Sequence, residues 1–379
     1  MKIAVIGGGP AGLYFSILVK KWRPDIEIDL FERNAPDDTF GWGVVFSDKT
    51  LSYLKVEDEP SHDAIVQRFE RWDNVDIIHH DEKITVRGNK FSGIARIEIL
   101  HILQERAREL GVQLHFRAPV LDLSQFQSYD LLVGADGINS EIRSQYAETF
   151  KPDLSTRTNR YIWYGTPHLF HGLTLTFREN NAGVFAAHSY KFNKTTSTFI
   201  VECDEETWQT AGFQDMDEDT TRHYLEEVFH HDLHGGKLLS NNSKWINFVL
   251  VKNRHWWSER KDKGYVVLLG DSLATVHFSI GSGTKLALED SIALFHALRL
   301  TERLPDALIE FEAQRRPVVD EYQDAAYESL LFFENLKDYM HLDPIPFAYR
   351  LMTRSGKVDH ENLRRRDPVF VEQYESFVK

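Results

Sequence analysis

The chain has 379 residues, of which 42% are hydrophobic and 27% charged, enough for a sizeable core in one two-part fold or in two domains. Its 44 basic and 58 acidic side chains leave a net charge of −14, which argues against broad binding to nucleic acid or to an anionic membrane. Cys203 is the single cysteine, which excludes an intramolecular disulfide and any zinc or redox site built on a CxxC pair.

The first predicted elements are a strand, a helix and a second strand. Residues 2–6 form an apolar run, residues 13–21 continue as an apolar helix, and residues 26–31 form the next strand. A glycine-rich turn separates the first strand from the helix, and an acid follows the second strand. The candidate cofactor-binding residues of this unit are Gly7, Gly9, Ala11, Gly12, Glu32 and Arg33.

The spacing of these residues is typical of dinucleotide binding. Gly7 permits a tight turn, Gly9 lets a pyrophosphate approach the backbone, and Gly12 lets the helix pack against the strand. Glu32 follows Gly12 by twenty residues, where a carboxylate accepts hydrogen bonds from a ribose diol. Chance glycines in a turn are the alternative, but strand, helix, second strand and acid in register favour a nucleotide site.

A second candidate segment follows an excursion over residues 35–90. The chain returns through Arg96, an amphipathic helix over residues 97–110, and an apolar strand that ends in Asp136-Gly137. Asp-Gly is also a common turn pair, so an ordinary strand–turn–helix stays open for this segment alone. We take Arg96, Asp136 and Gly137 as further candidate cofactor-binding residues.

The last third of the chain contains the third segment. Residues 155–255 read as an antiparallel sheet, with strands over 173–177, 184–190 and 195–201. A buried strand over 264–269 then delivers Asp271, and the turn Gly281-Ser-Gly283-Thr284 opens an amphipathic helix whose positive end suits an electron-rich group. The C-terminus is predicted to be helical, with Pro317 kinking or breaking the run over residues 310–336.

Together the three segments resemble the group A flavoprotein aromatic hydroxylases, which have the fold of p-hydroxybenzoate hydroxylase. The resemblance implies the α/β class: a Rossmann-like FAD-binding domain, an antiparallel-sheet substrate domain and C-terminal helices. It implies FAD-binding parts at 1–150 and 261–300, a substrate domain at 151–260 and a helical region at 301–379. The glycine turn would hold the ADP half of FAD, the Asp136 segment would lie near the pyrophosphate, and the Asp271 segment would bind ribityl and flavin. Arg96 would contact FAD, with a surface cation at a helix start as the alternative.

A narrower branch is indicated by three other stretches. Residues 277–280 replace the prolines usual in this family with His-Phe-Ser-Ile, and residues 37–48 and 161–166 share this branch's pattern. They resemble the branch of salicylyl-CoA 5-hydroxylase and anthraniloyl-CoA monooxygenase, and residues 339–368 resemble its CoA-ester members. The glycines at 41 and 43 are predicted to let the flavin move.

The resemblance implies a single-component monooxygenase that binds FAD and uses NADH or NADPH and O2. In such enzymes a flavin C4a-hydroperoxide transfers its distal oxygen to an electron-rich ring. The implied substrate is an aryl-CoA thioester, first of all salicylyl-CoA hydroxylated at position 5. A free aromatic or indole-derived acid is the alternative substrate, and a dinucleotide-binding sensor without turnover is the alternative of another class.

A base near the substrate's hydroxyl or amino group would assist this reaction. His277, shortly before the turn at Gly281, is the first candidate, and His188, in the middle of a predicted strand, is the second. For each of them a packed structural histidine is the open alternative.

The lengths of the apolar runs indicate where in the cell the protein is expected. The N-terminal apolar run is too short and too rich in glycine for a signal peptide, and no stretch of about 18 apolar residues predicts a membrane span. We therefore expect a cytoplasmic enzyme with small-molecule partners. The oligomeric state is open, with a homodimer as one candidate.

Overall fold

The computed structural model describes residues 1–261 and 264–379, apart from the side chains of residues 47–49. Two of these side chains, at 47 and 48, belong to the stretch 37–48 singled out in the sequence. The strands within these ranges are β1 Lys2–Ile6, β2 Glu27–Glu32, β3 Gly43–Ser47, β4 Glu70–Trp72, β5 Val75–His79, β6 Glu82–Val86, β7 Phe91–Ala95, β8 Gln113–Phe116, β9 Leu131–Gly134, β10 Pro152–Thr166, β11 Leu173–Asn180, β12 Gly183–Lys191, β13 Ser197–Cys203, β14 Ile246–Asn253, β15 Trp257–Glu259 and β16 Tyr265–Leu268.

The α-helices lie mainly at the two ends of the chain. They are α1 Pro10–Trp22, α2 Asp48–Glu57, α3 Glu59–Val66, α4 Arg96–Glu109, α5 Glu141–Gln145, α6 Ala147–Phe150, α7 Glu205–Thr210, α8 Glu218–Val228, α9 His230–Leu233, α10 Gly283–Leu300, α11 Leu304–Glu334, α12 Pro344–Thr353, α13 His360–Arg366 and α14 Pro368–Val378. Among the described residues, no helix combines the length and the apolar character needed to cross a membrane.

The first sheet is the nucleotide-binding type of sheet that the sequence predicts. Its strand order is β15-β16-β9-β1-β2-β8, and all neighbours are parallel except the edge pair β15–β16. The central strands are apolar along their whole length because helices cover both faces of such a sheet, and β1 and β9 are buried almost throughout. Helix α1 packs against α4 and α10.

The second sheet has seven strands in the order β14-β10-β13-β12-β11-β5-β6. Its pairs are antiparallel except β11 with β5. Strands β5 and β6 come from the excursion over residues 35–90, so no hairpin joins β5 to β11 and its direction is not forced to alternate. The strands β3, β7 and β4 form a separate small sheet. The predicted α/β fold class, with a Rossmann-like sheet, a mainly antiparallel second sheet and C-terminal helices, is confirmed.

The two faces of the second sheet pack against different helices. One face, with Leu175 and Phe177, packs against the end of α11 and against α12–α14. The other face, with Phe185 and Phe199, packs against α7–α9. Side chains that alternate along β12 and β13 therefore point to different environments, and only one set of them faces α11.

Of the two outcomes predicted for Pro317, the break is wrong, because α11 runs without interruption from Leu304 to Glu334, and the kink stays a prediction. An internal proline removes one backbone hydrogen bond and costs roughly 3 kcal/mol in a helix. Side chains just before it anchor this helix to its surroundings: Arg316 stacks on Trp256 at 4.6 Å and donates to two backbone carbonyls. Tertiary contacts thus outweigh the local preference.

A buried ionic cluster joins the two longest helices. Arg315 on α11 donates to Asp290 at 2.6 Å and to Glu289 at 3.1 Å, both on α10. Asp290 in turn accepts the backbone N–H of Gly270, directly after β16. The cluster therefore fixes the loop after β16 relative to both helices.

Arg315→Met should lower the free energy of unfolding by about 3–5 kcal/mol, because it leaves the buried Asp290 carboxylate without its cation and Glu289 with Lys285 alone. Urea denaturation measures this change. Arg303→Met is the matched control: Arg303 is 75% exposed, its nearest carboxylate oxygen lies 3.9 Å away, and the expected loss is below about 0.5 kcal/mol. Equal effects of the two substitutions would contradict the role given to the cluster.

Candidate active site

The three segments singled out in the sequence meet at one edge of the first sheet. Strands β16, β9 and β1 are neighbours, and Leu268, Gly134 and Ile6 are aligned across them. The residues that follow these strands therefore leave the sheet side by side at its carboxyl edge, where open α/β sheets bind ligands.

Two glycines of the first turn are required by the fold itself. Gly7 has φ +114°, and a Cβ there would lie 2.1 Å from the carbonyl oxygen of Ala135. A Cβ at Gly12 would lie 2.2 Å from the carbonyl oxygen of Gly7. No side chain fits at either position without moving the backbone of β1, α1 or the chain after β9.

Gly9 is different, because its missing side chain leaves open space. A Cβ there would meet no atom within 4 Å, and the φ of −75° suits any residue. Gly9 precedes α1, whose first turn carries no acid and no side-chain cap. Unpaired N–H groups at a helix start, with room beside them, fit a pyrophosphate.

Glu32, Arg33 and Ala11 surround this turn. The Glu32 carboxylate accepts the N–H of Gly8 at 2.7 Å and that of Asn34 at 2.8 Å, so the loop itself orients it at the end of β2. Arg33 is exposed. The Ala11 carbonyl accepts the hydroxyl of Ser291 at 2.8 Å, which ties α1 to α10.

The Asp136 carboxylate is occupied by its own segment. It accepts the Ser140 hydroxyl at 2.5 Å and the N–H groups of Glu141 and Ile142 at 2.7 and 3.1 Å, so it caps α5. Gly137, with φ +80° and open space where a Cβ would point, presents backbone to the same edge. The structure therefore gives Asp136 a structural role whether or not a ligand is bound.

Arg96 and Asp271 lie near each other at the same edge. Arg96 begins α4, and its Nε is buried without a hydrogen-bond partner among the described residues. Desolvation lowers the pKa of Arg96, and the charge of Asp271 opposes that change. Asp271 is partly exposed to solvent, but many protein atoms surround its carboxylate. Desolvation therefore raises the pKa of Asp271, and the positive charge of Arg96 opposes the rise. The pair offers a cation and a carboxylate for polar groups of a cofactor.

The start of α10 has the features of a second anion-tolerant helix start. Ser282 precedes the helix without capping it, the first turn contains no acid, and Thr284 is half-buried. A Cβ at Gly283 would meet nothing within 4 Å, as at Gly9. Gly281 has φ +60°, so a branched residue there would strain the backbone even without a ligand.

The edge of the first sheet forms one wall of the candidate site. A buried polar network on the second sheet forms the other wall. Glu202 on β13 is 2% exposed and accepts hydrogen bonds from Asn159 at 2.9 Å and His188 at 3.3 Å. The Nε2 atom of His277 lies 3.8 Å from the same carboxylate. Burial alone would raise the pKa of Glu202, but the hydrogen bond from His188, helped by the neighbouring His277 ring, brings it below the ordinary value. The structure thus brings both candidate histidines to one carboxylate.

His277 has both ring nitrogens directed into this network. Its Nδ1 lies 2.8 Å from the Ser279 hydroxyl, which lies 2.7 Å from that of Ser329. Arg354 donates to Ser329 Oγ and to the Ser279 carbonyl, both at 2.8 Å. Burial lowers the pKa of His277 to about 4 and that of Arg354 to about 10. His277 is therefore neutral at pH 7.

Among the described residues, the Nδ1 atom of His188 has no hydrogen-bond partner, in contrast to His277. Its ring contacts Phe278 at 5.2 Å and Phe333 at 4.8 Å between centroids, and Phe278 also contacts Tyr161 at 4.6 Å. A histidine with one nitrogen on a carboxylate and the other free, among aromatic rings, is arranged to accept a proton.

Sequence reasoning missed Glu202, Arg354 and Ser329. For Glu202 the sequence contains one usable signal, since it is the one acid in the otherwise apolar run over residues 199–203. The sequence contains no such signal for Ser329 or Arg354. Both contact Ser279, which lies 50 and 75 positions away along the chain.

The glycines at 41 and 43 are explained by close packing. A Cβ at Gly41 would lie 2.5 Å from the ring of Trp163, and one at Gly43 would lie 2.5 Å from Phe192. The Tyr190 hydroxyl also donates to the Gly43 carbonyl at 2.8 Å. That these glycines allow movement of the flavin stays a prediction.

This fold and this edge of the sheet define an FAD-binding oxidoreductase, and residues 125–326 match the family model described as an FAD binding domain. The chain belongs to the group A FAD-dependent aromatic hydroxylases and is an enzyme. A salicyloyl-CoA 5-hydroxylase from Streptomyces sp. is 40% identical over all of this chain and 74% of its own length.

Two other relatives are also monooxygenases. A protodeoxyviolaceinate monooxygenase from Chromobacterium violaceum is 35% identical over 92% of this chain and 93% of its own. A 3-hydroxy-4-methyl-anthranilyl-[aryl-carrier protein] 5-monooxygenase from Streptosporangium sibiricum is 32% identical over 96% and 97%.

Solved structures share the fold. The tetrameric form of 2-methyl-3-hydroxypyridine-5-carboxylic acid oxygenase superposes with a TM-score of 0.72 at 19% identity, over 96% of this chain and 97% of that one. Pseudomonas aeruginosa PqsL in complex with 2-aminobenzoylacetate gives 0.70 at 17% identity, over 90% and 98%.

Gly9→Ala should weaken FAD binding by about tenfold or more, a loss of about 1.4 kcal/mol, while the apoprotein keeps its stability. The added methyl group fills space that only a ligand needs. Titration of apoprotein with FAD, followed by flavin fluorescence, measures the affinity, and thermal unfolding measures the stability.

Gly7→Ala is the matched control, because its methyl group meets a backbone carbonyl and should destabilise the apoprotein itself. Wild-type FAD affinity in Gly9→Ala would show that the open space at Gly9 does not face the cofactor.

His277 should make the protein less stable in acid. The unfolded chain protonates this histidine below pH 6.5 but the folded one only near pH 4, so the unfolded state binds more protons in that window. Stability present above pH 6.5 is then lost as the pH falls to 4, by up to about 3 kcal/mol. Urea denaturation at intervals from pH 7 to 4 should show a shallower loss for His277→Gln. Parallel curves for the two proteins would contradict the assignment.

Proposed function

We propose that this enzyme hydroxylates the aromatic ring of an aryl thioester, first of all salicyloyl-CoA at position 5, with NADH or NADPH and O2 as co-substrates. Two observations on relatives support a thioester. The 40% identical protein is named for a CoA ester, and the one from Streptosporangium is named for an aryl group on a carrier protein. We infer a single-component enzyme of the cytoplasm, with a homodimer as one candidate for its oligomeric state.

The residues at the edge of the first sheet fit FAD. The start of α1 with Gly7, Gly9, Ala11 and Gly12 would hold the pyrophosphate, and Glu32 would accept the ribose hydroxyls, with Arg33 beside it. Gly137 would contribute backbone near the pyrophosphate. When bound, FAD supplies hydride acceptance and oxygen activation, which no side chain here provides.

The flavin ring would lie between Arg96, Asp271 and the start of α10. Gly283 and Thr284 place backbone N–H groups and the positive end of an 18-residue helix there, and Gly281 provides the turn before it. With FAD bound, these groups would stabilise negative charge on the ring without having to move. Arg96 is held for the same purpose with an unused Nε.

The observation that carries the proposed reaction is the His188–Glu202 pair. A ring hydroxyl or amino group becomes a stronger electron donor when it loses its proton, and His188 Nδ1 is free to accept that proton. Glu202, 3.3 Å from Nε2, stabilises the imidazolium that forms. His277, which is neutral, stays inside the network, and the positive charge of Arg354 attracts the Glu202 carboxylate.

The surrounding aromatic side chains keep the site dry. Phe278 and Phe333 contact the His188 ring, and Tyr161 contacts Phe278. Excluding water strengthens the electrostatic interactions within the site and suppresses side reactions of the activated cofactor.

Oxygen uptake tests the proposal directly. FAD-loaded protein is assayed with NADH and with NADPH, alone and with salicyloyl-CoA, anthraniloyl-CoA or the two free acids, and products are identified by mass. We expect strong stimulation by a thioester and a hydroxylated product. Stimulation only by free aromatic or indole-derived acids would replace the thioester by that alternative, and no uptake with any of them would favour a sensor.

In the same assay, His188→Gln should lower the hydroxylation rate by about 100-fold, the usual contribution of a positioned base. Reduction of the flavin by NADH should change little, because His188 lies on the substrate wall. His223→Gln, on the exposed side of α8, is the control and should match wild type. Equal rates in the two variants would exclude His188 as the base.

A further inference from the structure

A small cavity lies behind Glu202, between strands β12 and β13 and helix α11. Its volume available to the centre of a water molecule is about 10 Å³, near the ~10–15 Å³ that one water needs. Glu202 and Asn159 line it on the sheet, Ala186 lies opposite Glu202 in the strand pairing, and Phe333 covers it from α11. The walls are therefore partly polar.

One wall atom lacks a partner. Asn159 is 6% exposed and donates its Nδ2 to Glu202, but its Oδ1 is buried without a hydrogen bond among the described residues. Leaving a buried acceptor unpaired costs about 1–3 kcal/mol. A water in the cavity would donate one hydrogen to Asn159 Oδ1 and the other to Glu202, so both polar groups would be satisfied.

The outer end of the cavity reaches the protein surface. Asp204 and Lys337 line it there, and their side chains form an ion pair at 2.8 Å. Lys337 is 43% exposed and pairs with Glu206 as well. Charged, partly exposed side chains therefore form the end of the cavity that lies towards solvent.

We propose that this cavity holds one ordered water, and that Glu202 and this water carry the substrate's proton from His188 to solvent beside Lys337 and Asp204. The inference rests on the proposed function, since it concerns the proton released when the substrate ring is activated. It makes Glu202 and Asn159 positioning residues for that reaction.

The transfer balances without an oxidant or reductant. The substrate O–H or N–H bond breaks and an N–H bond forms at His188 Nδ1, while the proton on Nε2 passes to Glu202. Glu202 gives its proton to the water, which releases one to solvent. The substrate is left as an anion, Glu202 and the water return to their starting states, and His188 ends with its proton on Nδ1. His188 regains its starting form when Nδ1 gives that proton to the hydroxyl or amino group of the product and Nε2 takes one back along the same route.

A high-resolution crystal structure of the FAD-loaded protein tests the water without any substrate. We expect one ordered water within hydrogen-bonding distance of Asn159 Oδ1 and a Glu202 oxygen. An empty cavity would overturn the inference.

The route is tested by filling the cavity. Ala186→Val places two methyl groups beside Glu202, whereas Ala187→Val makes the same change on the opposite face of β12. Single-turnover hydroxylation of salicyloyl-CoA should be about tenfold slower in Ala186→Val, with a larger solvent isotope effect in D2O. Reduction of the flavin by NADH should be unchanged, and Ala187→Val should resemble wild type. Equal hydroxylation rates in Ala186→Val and Ala187→Val would overturn the route.

Glu202→Gln is the second variant, because it keeps the shape and cannot take up a proton. It should reduce hydroxylation more than Ala186→Val does, while FAD binding stays unchanged. A Glu202→Gln protein that hydroxylates at the wild-type rate would overturn the inference. Absence of product from wild-type enzyme with every thioester and acid would instead refute the proposed function, and the crystallographic water would still be decided on its own.

Discussion

The contact between the first turn of α1 and the strands β1 and β9 determines where the rest of the site lies. Gly7 and Gly12 have no room for a side chain, so helix and strands approach each other at backbone distance. The Ser291 hydroxyl then joins α10 to the Ala11 carbonyl in this same turn. Both helix starts and the ends of three strands are thereby held at one edge of the sheet.

The opposite wall follows a different principle. Glu202, His188, His277 and Arg354 are buried ionisable groups, which cost free energy unless each has a partner. They come from β13, β12, the loop after β16 and the end of α12, and hydroxyl groups of Ser279 and Ser329 join them. A network assembled from so many segments holds its shape only when the whole fold is in place, which suits a site that must position a proton acceptor.

The sequence predicted those parts of the fold that depend on local pattern. The unit β1–α1–β2 and the ends of β9 and β16 could be predicted because apolar runs and glycine spacing are properties of neighbouring residues. The parallel strand β5 could not be, since its partner β11 is far along the chain and the pairing leaves no local mark. The prediction of a break at Pro317 failed because the local cost of a proline can be read from the sequence, whereas the anchoring contacts of Arg315 and Arg316 cannot. His188 and His277 were found as residue types, but the carboxylate between them became visible only in three dimensions.

The unbroken helix α11 links the two walls as a rigid spacer. Arg315 near its middle holds the ionic cluster beside the loop after β16, and Ser329 nearer its end holds the network around His277. Fourteen residues separate them, almost four full turns and about 21 Å, so both side chains lie on nearly the same face. Insertion or deletion of one residue between them would rotate one end by about 100° relative to the other. Helix geometry therefore constrains the number of residues in this stretch, and substitutions should be tolerated there far better than insertions or deletions.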